Sequence, residues 1–80
     1  MRAIIQRVKM ANVAVGGRTV GFIGPGLLVF LAVHPEDTES MIGKMAKKIA
    51  ELRVFADDQG KMNRSVREAG GKVLLVSQFT

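Results

Sequence analysis

The chain has 80 residues and a mass of 8.7 kDa, which leaves room for one small domain. Its composition, 48% hydrophobic and 24% charged with nine glycines and two prolines, excludes a disordered or collagen-like chain and predicts a packed core. The absence of cysteine removes disulfide frameworks, zinc–thiolate and iron–sulfur sites and cysteine nucleophiles, while a net charge of +5 admits a polyanionic partner held by electrostatics.

Residues Ala3 to Val8 mix β-branched and polar side chains, as a first strand does. Asn12-Val13-Ala14-Val15, Gly16-Gly17 and Arg18-Thr19-Val20 read as a hairpin whose two glycines supply the positive φ angles of a primed turn, with valines 13, 15 and 20 on the buried face. Gly24-Pro25-Gly26 punctuates the chain before Leu27 to Val33. That apolar run lacks alternation and predicts a strand buried on both faces. It is far shorter than the roughly 18 residues of a membrane span. Met1 to Arg7 turns polar too early for a secretory signal, so a cytoplasmic protein with no membrane contact is expected.

After His34-Pro35, Asp37 or Thr38 can cap a helix whose first turn carries Glu39. Ile42, Met45, Ile49 and Leu52 form its apolar stripe, with Lys44, Lys47, Lys48 and Glu51 largely elsewhere. Gly43 lies inside it at a cost of about 1 kcal/mol relative to alanine. Val54-Phe55 form a short strand, Asp57-Asp58-Gln59-Gly60 and Gly70-Gly71 form turns, and Lys72 to Phe79 is a final strand. Five or six strands joined by short hairpin links predict an α+β domain: a largely antiparallel, curled sheet packed on one main helix. The chain stops at the end of a hydrophobic strand, where domains more often finish in a polar turn or a docked helix. A chain of this size buries about 60% of its unfolded surface, which favours association with a further copy.

Few residues are arranged for chemistry. The single histidine, His34, stands in a turn, and no cluster of metal ligands surrounds it, so no metal is expected. Asp57 and Asp58 suit a solvated turn. Gly24-Pro25-Gly26 opens a strand and lacks the Gly-Lys-Ser/Thr of a phosphate loop. No Gly-x-Ser-x-Gly elbow surrounds Ser40, Ser65 or Ser77. The lysines at 44, 47 and 48 suit a solvated helix face, and four phenylalanines without Tyr or Trp offer little for base stacking. Two polar segments remain: Lys61-Met62-Asn63-Arg64-Ser65, and Ser77-Gln78-Phe79-Thr80 at a strand end, where sites tend to be built.

These segments, read with Met1-Arg2-Ala3-Ile4-Ile5-Gln6-Arg7-Val8, Ile23-Gly24-x-Gly26-Leu27-Leu28-Val29, Leu52-Arg53-Val54-Phe55 and Gly60-Lys61-Met62-Asn63-x-Ser65, resemble the D-aminoacyl-tRNA deacylases. The resemblance runs the whole chain and covers roughly the N-terminal half of a typical member, so residues 1–80 are expected to form the first half of one longer domain. It implies hydrolysis of the ester between a D-amino acid and the 3′-terminal adenosine of tRNA. It also implies a homodimer with active sites at the subunit interface and no cofactor. Ser77, Gln78, Phe79 and Thr80 match the family's Ser-Gln-x-Thr motif, which implies that Thr80 and the main chain around Phe79 and Thr80 lie against the ester, where N–H groups stabilise the oxyanion as water attacks. Gln6 and Arg7 match its first-strand substrate-side positions, with Arg7 bracing the loop that reads chirality.

That loop, a Gly-Pro pair near the family's C-terminus, is absent from this sequence, and Gly24-Pro25 matches it by letters only. Ala32 replaces a usual glycine. The reading of a different class is a non-catalytic tRNA-binding or interaction module that keeps the basic face and the dimer surface.

Overall fold

The structure, a computed structural model, describes residues 1–79. In chain order the elements are β1 (Arg2–Val8), β2 (Ala11–Val15), β3 (Arg18–Ile23), β4 (Gly26–Val33), α1 (Glu39–Glu51), β5 (Phe55–Ala56), β6 (Met62–Arg64) and β7 (Lys72–Phe79). The central sheet has the order β1-β4-β7, and β2-β3 and β5-β6 are separate ribbons.

β1 runs antiparallel to β4, so that Arg2 stands opposite Ala32 and Val8 opposite Gly26. Period-2 alternation then sends Ala3 and Ile5 towards the helix side, where they pack on a core of Leu27, Val29, Ile49 and Val66. Leu27 is completely buried. The helical stripe behaves as its spacing requires: Ile49 is buried and Met45 and Leu52 half-buried, with only Ile42 left on the exposed side. Thr38, not Asp37, is the N-cap, its Oγ1 accepting the Met41 N–H at 3.2 Å. Asp37 instead accepts the His34 N–H at 2.8 Å and pairs with the Met1 ammonium at 3.0 Å, tying the start of β1 to the turn before α1.

Three expectations need correction. Among the described residues β4 is buried on one face only: Phe30 is 44% exposed on the side opposite the helix, where the β2-β3 ribbon approaches the sheet through Gly21 at Leu74 rather than at Phe30. Val15 and Val20 are likewise exposed, since the tip of that ribbon projects from the sheet and a bulge at Val13/Ala14 interrupts its alternation. The links are also not all hairpins. β7 pairs with β4 in parallel, Gly26 opposite Lys72 through Val33 opposite Phe79; a parallel pair needs a long crossover, and residues 34–71 with α1 supply it. The fold is still α+β and largely antiparallel on one helix, and β6 is the strand that the sequence did not lead us to expect.

The Gly16-Gly17 turn has the expected geometry, with φ of 57° and 77°. Ser65 and Glu68 form a reciprocal cap: the Ser65 N–H donates to Glu68 Oε1 at 3.0 Å and the Glu68 N–H to Ser65 Oγ at 3.2 Å. This gives the unexplained serine of the 61–65 segment a structural role.

Candidate active site

The Ser77-Gln78 pair lies at the C-terminal end of β7, Ser77 opposite Leu31 and Gln78 opposite Ala32. Both side chains are exposed. Phe79 continues the ladder opposite Val33; Thr80, the last residue of the Ser-Gln-x-Thr motif, lies outside the described residues. Because Ala32 also faces Arg2, Arg2, Ala32 and Gln78 form one row across the three strands. Arg2 and Gln78, with Ile4, Phe30 and Val76, line an open cavity of about 180 Å³ on the face away from α1. Its walls are apolar and its rim carries a guanidinium and an amide, a combination that can seat an apolar group while orienting a polar one.

Gln6 and Arg7 are at the other end of the sheet. Gln6 faces Leu28, which in turn faces Leu74, so Gln6 and Gln78 are displaced by four residues along the strands, about 13 Å, and by two strand spacings, about 10 Å. Within one chain the two expected halves of the site do not meet. Arg7 points to the helix side, where Nη1 donates to the Val54 carbonyl at 2.8 Å and to Met62 Sδ at 2.9 Å. It borders a cavity of about 450 Å³ shared with Ile5, Leu27, Leu52, Val54 and Met62. A planar guanidinium carries five donors, and the two contacts, both made by Nη1, leave Nη2 and Nε with donors to offer.

The polar residues set aside in the sequence have local roles. His34 Nδ1 accepts the Glu36 N–H at 3.1 Å. Asp57 Oδ1 accepts the N–H groups of Lys61 (3.0 Å) and Gln59 (2.8 Å), and these bonds hold its carboxyl below the ordinary value. Glu68 is lowered in the same way by the Ser65 N–H, then by the Ser65 hydroxyl. Among the described residues no three His, Asp or Glu side chains converge as a metal site, and no helix is long and apolar enough to cross a membrane.

Arg2 and Phe30 are the site-bordering residues that sequence reasoning missed. Arg2 reads as an ordinary charged residue of a first strand, and only the β1-β4-β7 order aligns it with Gln78.

The profile of the D-Tyr-tRNA(Tyr) deacylase family matches residues 4–80. The chain belongs to this family. Among relatives named D-aminoacyl-tRNA deacylase, it is 59% identical over 80 residues to one from Symbiobacterium thermophilum, covering the whole chain and 53% of that protein. It is 58% identical over 80 residues to one from Thermus aquaticus, again covering the whole chain and 53% of the relative. A solved structure of the c-Myc DNA Unwinding Element Binding Protein superposes with a TM-score of 0.92 at 43% identity, over 98% of this chain and 53% of that one. The chain therefore spans about half the length of the deacylases it matches.

Proposed function

We propose that this chain is the N-terminal half of a D-aminoacyl-tRNA deacylase, which hydrolyses the ester between a D-amino acid and the 3′-terminal adenosine of tRNA. The observation that carries the reading is the family match over residues 4–80 at close to 60% identity to named deacylases. It works as a homodimer in the cytoplasm. Ser77, Gln78, Phe79 and Thr80 form the ester-facing edge, with main-chain N–H groups there receiving the negative charge that builds on the carbonyl oxygen when water attacks. An aminoacyl ester is already reactive, so orientation and charge stabilisation suffice.

The separation of Gln6 and Arg7 from Gln78 within one chain supports a site completed by a second subunit. In that arrangement Arg7, anchored on Val54 and Met62, presents its remaining donors to the loop that reads chirality. Selection against L-amino acids then comes from a rigid backbone wall that clashes with the L side chain, and side-chain tolerance is broad.

The test is release of amino acid from D-tyrosyl- and L-tyrosyl-tRNA by the protein made from its natural gene. Fast release from the D-ester alone is expected. Equal rates on both, or binding of tRNA with no release from either, would overturn the reading.

A further inference from the structure

We infer that Arg2, Lys44 and Lys48 form a phosphate-binding track that leads the 3′ end of tRNA away from the Gln78 end of the sheet and over α1. The inference rests on the deacylase reading and adds to it a docking surface for the nucleic acid.

Two cavities share the start of β1. Arg2 lines the cavity with Gln78, and its neighbour Met1 lines a second one, of about 270 Å³, with Met41, Lys44, Met45 and Lys48. Among the described residues β1 has a neighbour on one side only, and the two cavities open on either side of its first residues. Gln78 and Arg2 are two strand spacings apart, about 10 Å, and Lys44 and Lys48 continue outward on successive turns of one helix face.

The distribution of charge points the same way. Of the seven carboxylates, Asp37 is engaged by the Met1 ammonium, Asp58 by Arg64, and Asp57 and Glu68 by backbone N–H groups, while Glu36, Glu39 and Glu51 are in no ion pair among the described residues. Among the described residues Lys44 and Lys48 have no ion-pair partner. Like charges at i and i+4 destabilise an isolated helix, and a polyanion is the partner that reverses the sign of that interaction. The methionines that line the same cavity supply polarizable apolar surface that suits a ribose or a base edge without selecting among bases.

The experiment compares two double variants of equal charge in the protein made from its natural gene: Lys44→Ala/Lys48→Ala, and Lys9→Ala/Lys61→Ala, the latter pair at the far end of β1 and beside β6. All four side chains belong to exposed residues, so circular dichroism should match the wild type. Binding of uncharged tRNA is measured against salt. The first variant should lower the slope of log K against log salt by roughly 0.7 to 0.9 for each phosphate that is no longer neutralised, and should raise KM for D-tyrosyl-tRNA severalfold with kcat unchanged. Hydrolysis of D-tyrosyl-adenosine, which has no phosphate track, should be the same in both variants. Equal losses in the two variants, or an unchanged salt slope in the first, would overturn the track. Absence of hydrolysis by the wild type would instead overturn the deacylase reading, and the tRNA slopes would still decide the track.

Discussion

Replacing Gly26 by alanine tests the register on which the candidate site depends. A Cβ at this position would fall on the Lys72 carbonyl oxygen, and it would lie 2.8 Å from both the carbonyl carbon and the nitrogen of Lys72. Carbon–carbon contacts are comfortable only from about 3.5 Å, and the obstacle is backbone, which cannot rotate away. The two strands must part by an ångström or more at this rung. The Lys72 N–H bond to the Pro25 carbonyl, already 3.2 Å long, would then pass the limit of a useful hydrogen bond. Overpacking typically costs about 1–3 kcal/mol and a broken backbone bond about 1 kcal/mol, so the expected destabilisation is about 2 to 4 kcal/mol. For a domain whose whole stability is on the order of 4 to 12 kcal/mol, that is a large share. Urea denaturation followed by circular dichroism reads it as a lower midpoint at unchanged slope. Gly43→Ala is the built-in contrast: nothing lies within 4 Å of its Cβ, the site is exposed mid-helix, and the change should stabilise by about 1 kcal/mol. A Gly26→Ala protein within about 1 kcal/mol of the wild type would refute the β4-β7 register, and with it the alignment of Gln78 with Arg2.

Leu27→Ala empties a fully buried position in the core beneath α1 and should cost about 2 to 5 kcal/mol by the same denaturation assay; a loss under about 1 kcal/mol would mean that the helix does not pack there. Thr38→Ala removes the acceptor of the Met41 N–H and should cost about 1 kcal/mol, with Thr38→Asp close to neutral. Asp37, Asp57 and Glu68 all have lowered carboxyl values, chiefly because each accepts a backbone N–H, from His34, Lys61 and Ser65 respectively. Their ordinary values are 3.8, 3.8 and 4.5, so the unfolded chain takes up protons first as pH falls. Their contribution is therefore complete above those values and is lost progressively below them, as pH drops through the folded-state values. The urea midpoint should hold from about pH 7 to about 5 and decline below roughly pH 4.5, and a midpoint that rises on acidification would contradict these bonds.

Much of this molecule was legible in its sequence because the signals were local. The Gly16-Gly17 turn follows from two residues that alone tolerate its φ angles, α1 from a stripe at helical spacing and a capping threonine, and β7 from an unbroken β-prone run. The motif Ser77-Gln78-Phe79-Thr80 could likewise be singled out as polar groups at a strand end. Val15, Val20 and Phe30 are exposed against expectation, because hydrophobicity tells that a face could be buried, not what covers it. For Phe30 the answer depends on how far the β2-β3 ribbon reaches across the sheet.

The neighbours of the site were not legible at all. That β7 pairs with β4 in parallel, across the intervening helix, is decided by where α1 can bury Ile49 and Met45 against residues distant in the chain. Together with the antiparallel β1-β4 register, this pairing sets Arg2 and Gln78 in one row across the sheet and Gln6 and Arg7 at its opposite end. Periodicity and turn chemistry act over a few residues and so determine the elements; strand order and register are settled only when separate elements exclude water from one shared core.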